Sequence, residues 1–230
     1  MRVFLCAALL LAAQTAMGQQ CTFPCCPCVI VDGDFAAYEL KVPLSASATV
    51  TTAYGSASLQ VDRARRLHAP LAPQPLDGLH FVGYEVDSPT PFAPGAVTLN
   101  TALGQVTGTA SRVKWLVIPA NKSLAAPAPA APPDQDAFLC FSGQLKGPNS
   151  DVPATDQFGS QVMSLHKVDS VCAPATLDGS APSASWRVCF DTRPKPAVDP
   201  PAIWATTILQ TINDYDLEPV DEICVQATLQ

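Results

Sequence analysis

Apolar residues recur along this chain in a strand rhythm. Val97, Leu99, Thr101 and Leu103 take every second position and alternate with polar or small residues, the period of a strand with one buried face. Helical periodicity is weak; residues 203–212 are the one stretch that admits a short helix. The expected fold class is all-β.

Laid against itself, the chain returns one frame four times. Each copy opens on a short apolar segment: Phe35-Ala36-Ala37-Tyr38, Phe81-Val82-Gly83-Tyr84, Phe138-Leu139-Cys140-Phe141 and Arg187-Val188-Cys189-Phe190. Each closes on a second: Leu67-His68-Ala69-Pro70, Leu116-Val117-Ile118-Pro119, Val171-Cys172-Ala173-Pro174 and Ile223-Cys224-Val225-Gln226. The marked positions are 31 (Ala37 to His68), 34 (Gly83 to Val117), 32 (Cys140 to Cys172) and 35 (Cys189 to Cys224) residues apart. An aromatic follows the first mark each time, and an aliphatic precedes the second. A hydrophobic-Gly pair lies 13 residues before the second mark in three copies, at Tyr54-Gly55, Leu103-Gly104 and Phe158-Gly159. There Gly suits a turn, where positive φ costs it nothing. In the fourth copy the matching pair is read as Tyr215-Asp216, which implies a lost or shortened hairpin. Pro-bearing segments 87–95, 146–153 and 192–201 read as connections, because Pro has no donor for a ladder.

The frame and its breaks give an order of parts. Residues 1–18 read as a secretory signal peptide: Arg2, an apolar run from Val3 to Ala13, then Ala16-Met17-Gly18 as the cleavage site. A Cys-rich segment follows at 19–34, repeats one and two at 35–122, an Ala/Pro linker at 123–135, and repeats three and four at 136–230. A unit of about 45 residues is too small to bury a core alone, so the copies must pair. Two arrangements stay open: two β-sandwich or barrel-like domains, or one pseudo-symmetric pair. No stretch after the signal is apolar for long enough to span a membrane as a helix.

Composition narrows the partners. Hydrophobic residues make up 48% of the chain, enough for a core, and the net charge of −7 argues against nucleic acid and anionic membrane. The basic group Arg63, Arg65 and Arg66 reads as a solvated strand edge.

The third copy, with Cys140-Phe141, Asp156-Gln157-Phe158-Gly159 and Val171-Cys172-Ala173-Pro174-Ala175, resembles an uncharacterised family of secreted bacterial repeat domains. That family's signature is Cys-Tyr, Asp-Gln-Phe, then Leu-Cys-x-Pro-Ala-x-Lys. The second copy keeps its end as Pro119-Ala120-Asn121-Lys122, with Val117 at the cysteine position. The likeness covers roughly residues 79–190 and implies a secreted bacterial setting, in the periplasm or outside the cell, without implying an activity.

Candidate chemistry centres on cysteine. Copies three and four carry it at both marks, and copies one and two at neither, so the expected bridges are Cys140–Cys172 and Cys189–Cys224. The same counts permit Cys172–Cys189. Cys21, Cys25, Cys26 and Cys28 read as a local disulfide knot in preference to a metal site, since zinc sites set their ligand pairs apart by a longer loop. His68 holds a frame position and reads as packing; His80 and His166 have no visible catalytic partner. The acidic run Asp214, Asp216, Glu218, Asp221 and Glu222 lacks a calcium-loop spacing and reads as a solvated face. No catalytic, cofactor or metal residue is therefore assigned. The leading expectation is a secreted, non-catalytic structural or interaction protein. An extracellular module that binds protein or glycan is second, favoured if Trp115, Trp186 or Trp204 lines a groove, and a secreted hydrolase is third.

Overall fold

A computed structural model describes residues 34–71, 80–88, 92–127, 129 and 136–230. The signal segment and Cys21, Cys25, Cys26 and Cys28 lie outside them. The described chain is all-β, with twelve antiparallel strands: β1 (Phe35–Thr52), β2 (Gly55–Pro70), β3 (His80–Asp87), β4 (Gly95–Thr101), β5 (Gly104–Ser123), β6 (Ala137–Lys146), β7 (Asp151–Asp156), β8 (Gly159–Thr176), β9 (Trp186–Lys195), β10 (Ile203–Thr206), β11 (Thr211–Tyr215) and β12 (Val220–Leu229).

Eight of these strands close into a ring. Pairing runs β5-β3-β2-β1-β12-β9-β8-β6, and β6 returns to β5. Closure removes the unpaired edges that an open sheet would expose. Each marked position stands directly opposite its mate: Ala37 to His68, Gly83 to Val117, Cys140 to Cys172 and Cys189 to Cys224. Between these pairs the register steps back by two residues, so that Phe81 faces His68, Phe138 faces Val117, Arg187 faces Cys172 and Phe35 faces Cys224. A repeated stagger of this kind tilts the strands and lets the ring close.

The ring strands are buried on both faces, which is why Leu116-Val117-Ile118 and Phe138 to Phe141 are unbroken apolar runs. One face holds a small core around the cysteines. The other holds the main core, with Tyr38, Tyr84, Phe141 and Phe190 among its largest buried side chains. The distal hairpins lie over that outer face. The far end of β1 pairs with Ala175 and Thr176 of β8, β4 pairs with β12, and β10 pairs with the end of β5.

Four hairpin tips share one local device. Thr52, Thr101 and Thr207 each accept a hydrogen bond from the amide two residues on and donate to the carbonyl three residues on. Asp156 accepts from both Phe158 and Gly159 amides. These are side-chain-capped turns. Gly55, Gly104 and Gly159 follow with φ of 115°, 134° and 152°.

The fourth tip corrects two expectations. The hairpin is present in shortened form as β10–β11, as expected, but its tip pair is Leu209-Gln210, not Tyr215-Asp216. Residues 203–212 are strand and turn, not helix. Thr206, Thr207, Ile208, Thr211 and Ile212 are β-branched, and the end of β5 offers its backbone to β10. Two Pro residues expected in connections, Pro153 and Pro194, lie within β7 and β9. Both strands can hold them there because β7 pairs only with β8, and Pro194 sits near the end of β9. Strand β5 runs to Ser123, one residue into the expected linker, because Ser123 pairs with Trp204.

Candidate functional site

The ring interior is built in tiers. In the first, two residues before each first mark, stand Phe35, Phe81, Phe138 and Arg187. Phe35 meets Phe81 edge-on at 5.1 Å, and Phe81 meets Phe138 at 5.5 Å. The Arg187 guanidinium closes the circuit, 4.5 Å from the Phe35 ring and 4.8 Å from that of Phe138. Such contacts between a cation and ring faces are favourable, most of all away from water. Burial lowers Arg187 to about 10, with Asp34 opposing the shift, so it stays charged at neutral pH.

The second tier holds the marked residues. Cys140 and Cys172 sulfurs lie 2.07 Å apart, and Cys189 and Cys224 sulfurs 2.12 Å apart, both disulfide distances. The two pairs touch, with Cys172 Sγ 3.8 Å from Cys189 Sγ. His68 packs beside them, its Nδ1 3.8 Å from Cys224 Sγ. Burial holds its imidazole down at about 3, with Arg66 and Arg187 adding to the effect, so His68 is neutral. Its ring occupies the room opposite Gly83: a Cβ built on Gly83 would stand 3.0 Å from His68 Nε2. Gly83→Ala should therefore cost about 1–3 kcal/mol through overpacking. In a His68→Ala background the added methyl should be nearly free. Additive losses in a denaturation double-mutant cycle would show that the two positions do not share that space.

The third tier is polar. Three residues before each second mark the ladder bulges, at Arg65, Lys114, Asp169 and Asp221. A bulge re-aims side chains. Lys114, Asp169 and Asp221 meet opposite charges here, while Arg65 turns to Glu39 and the first copy's inward cation is its neighbour Arg66. Arg66 binds Asp221, and its Nε lies 3.1 Å from Glu222 Oε2. Lys114 binds Asp169, and both Arg66 and Lys114 lie over the Trp115 ring, at 5.1 and 5.0 Å. Burial tends to raise the Asp169 carboxyl, but Lys114 and Arg66 outweigh it and hold it low. At Glu222 burial wins. Its contact with Arg66 is too poorly aligned to be a hydrogen bond, and the carboxyl is pushed up to about 8.

Two sequence expectations change here. Arg66 is not a solvated edge residue; its side chain is 11% exposed and ion-paired, whereas Arg63 and Arg65 meet Glu85 and Glu39 nearer the surface. The acidic run is not one solvated face either. Glu222 is buried, Asp221 holds Arg66 and Glu218 holds Lys41, while Asp214 and Asp216 are exposed. Strand β12 turns two members of the run toward the ring.

The histidines do not converge: His80 is buried with its Nε2 3.2 Å from the Gln157 amide, and His166 is exposed. Trp115 and Trp186 are buried, and Trp204 is half-buried. Cys189, Glu222 and Cys224 offer three potential metal-ligand atoms within 4.8 Å of one another. Sulfurs joined as a disulfide have no thiolate to give, and the thiolate is the form that binds metal. Sequence reasoning missed Arg187, Lys114 and Asp169 and took Arg65 and Asp221 as solvated, although the frame carries a signal: Arg stands where three copies have Phe, and a charged residue recurs three places before the second mark.

About 10 Å³ is left between the Phe tier and the cysteines. An open groove of about 520 Å³ is lined by Arg112, Lys114, Ser142, Gln144, Lys146 and Lys167 among others; Ser142 and Arg112 face each other across β5 and β6 and share the strand face of Cys140. Lys114 and Lys167 are held there by Asp169 and Asp191. Among the described residues no helix is long and apolar enough to cross a membrane, and the two close sulfur pairs are consistent with an oxidising compartment. No family model, curated protein or solved structure matches this chain.

Proposed function

We propose that this chain is a secreted, non-catalytic scaffold of four diverged β units, stapled by Cys140–Cys172 and Cys189–Cys224, that meets its partner through its outer surface. The packing between the Phe tier and the cysteines carries this reading. Barrels that hold a small molecule keep a cavity of about 300–1,000 Å³ for it. At this level of the ring Phe35, Phe81, Phe138, Arg187 and the cysteines leave about 10 Å³ between them. The directly opposed marks, the shared bulge and the shared hairpin tip support descent from one unit. The likeness to secreted bacterial repeat domains agrees with export.

Protein recovered from an exporting host is expected to begin at Gln19 and to show, by native mass spectrometry, the mass of residues 19–230 without a bound small molecule. A ligand that co-purifies within the barrel would sink the scaffold reading, and a retained leader would sink the export reading. Cross-linking in the producing cells should join the folded protein to an envelope macromolecule, and recovery as free monomer alone would count against the interaction role.

The groove favours a second reading, as a site for an acidic glycan. Its exposed Arg112 and Lys146 are cationic in a chain of net charge −7. On a glycan array this reading requires binding to acidic sugars that Arg112→Ala with Lys146→Ala abolishes. No such binding leaves the scaffold reading in place.

A further inference from the structure

We propose that Cys140, Cys172, Cys189 and Cys224 form one thiol–disulfide exchange unit in which Cys172–Cys189 is a third available bond. The inference rests on the two bridges proposed above and adds a reactivity to them. Cys172 and Cys189 stand on neighbouring strands β8 and β9, and the register places Ser170 opposite Cys189 and Arg187 opposite Cys172. The two cysteines are therefore diagonal neighbours on the inner face. Their sulfurs are 3.8 Å apart, in contact with no atom between them. All four cysteines lie in one small apolar cluster and are 1–2% exposed. The sulfurs that must meet are already in contact, so exchange among them asks for rotation of buried side chains and a local closing of β8 on β9.

The reaction balances without an oxidant. If Cys172 is a free thiol, its thiolate attacks Cys189 Sγ of the Cys189–Cys224 bridge. The Cys172–Cys189 bond forms, the Cys189–Cys224 bond breaks, and Cys224 leaves as a thiolate that takes up the proton Cys172 gave. Glu222 Oε1 is 3.4 Å from Cys224 Sγ, and its carboxyl holds a proton at neutral pH, so it can supply that proton locally and recover one from solvent. The mirror reaction starts from a Cys189 thiolate, which attacks Cys172 and releases Cys140. In the wild-type chain the sequence begins when a solvent thiol or phosphine opens one bridge. The protein, reduced by two electrons, then shares its one remaining bond among three adjacent pairs.

Two single variants test this from opposite sides. Trypsin leaves Cys172 in peptide 168–187 and both Cys189 and Cys224 in peptide 188–230, where Arg193 and Lys195 precede Pro. Folded Cys140→Ser protein, alkylated and digested without reduction, should contain 168–187 joined to 188–230 with Cys224 alkylated. Cys224→Ser should contain the same joined peptides with Cys140 alkylated. Each is expected within about tenfold of its parent bridge, since one buried disulfide replaces another. Near-ultraviolet circular dichroism establishes folding. If either variant fails to fold, wild-type protein treated with limiting phosphine replaces it, and all three bonds should appear in the half-reduced fraction. Exchange is overturned if Cys172 in folded Cys140→Ser and Cys189 in folded Cys224→Ser are fully alkylated, or if half-reduced wild type holds only the parent bonds. A fully oxidised wild-type map without Cys140–Cys172 and Cys189–Cys224 would overturn the bridges themselves, a separate failure.

Discussion

Replacing Cys189 with Ala and Cys224 with Val should lower the stability of the oxidised protein by about 3–4 kcal/mol. The bridge spans 35 residues, and closing a loop of that size restricts the unfolded chain by about that amount. For a chain of this size the thermal midpoint should fall by roughly 10 °C. The replacements take after the chain's own residues at the same frame positions, Ala37 in copy one and Val117 in copy two, which limits the packing loss. Removing Cys140–Cys172, across 32 residues, should cost a similar amount. Hydrogen exchange on the oxidised and reduced proteins should localise the loss to β6, β8, β9 and β12. The strands β2, β3 and β5 stand on apolar packing and should keep more of their protection. A midpoint that does not move on reduction would show that the bridges contribute nothing to stability.

The second large effect is a two-sided pH profile set by two buried groups. His68 falls from 6.5 to about 3 on folding, so below about 6.5 the unfolded chain binds the extra proton and acid destabilises the fold. Glu222 rises from 4.5 to about 8, so above about 4.5 the folded chain holds the extra proton and base destabilises it. Between 4.5 and 6.5 the two slopes oppose and cancel. Stability should form a plateau there and fall on each side by about 1.4 kcal/mol per pH unit. Asp169, held low by Lys114, steepens the acid side. Denaturant midpoints measured from about pH 4 to pH 9 should trace this shape. Glu222→Gln should remove the alkaline limb, and His68→Val should remove most of the acid limb. A midpoint that stays level from pH 6.5 to 8 would mean that Glu222 is ionised in the fold and paired with Arg66.

Both effects arise in the ring interior, and the sequence disclosed that interior unevenly. The marked positions could be read directly, because residues that stand opposite each other in four equivalent places are held to similar spacing and to paired identity. Two cysteines are present together or absent together at Cys140 and Cys172, and at Cys189 and Cys224. The strand class was legible in the alternation at Val97, Leu99, Thr101 and Leu103. The fourth tip was misplaced because Gln210 took the position of a Gly; the Thr that caps two other tips recurs there as Thr207, but its role shows only in its hydrogen bonds.

By itself, then, the sequence determined the strand class and which marked positions, cysteines among them, stand face to face, since each is a local or one-to-one relation that leaves a mark at fixed spacing. Only the tertiary structure decided that β5 pairs with both β3 and β6 so that the ring closes, because one strand's choice between two edges leaves no pattern in its residues. It also decided the electrostatics. Arg66 and Glu222 are ordinary surface residue types, 156 positions apart, and residue type alone does not separate them from Arg63 or Asp216. Each stands two residues before a second mark, on the same strand face as His68 and Cys224, and burial in a closed ring makes their charges consequential.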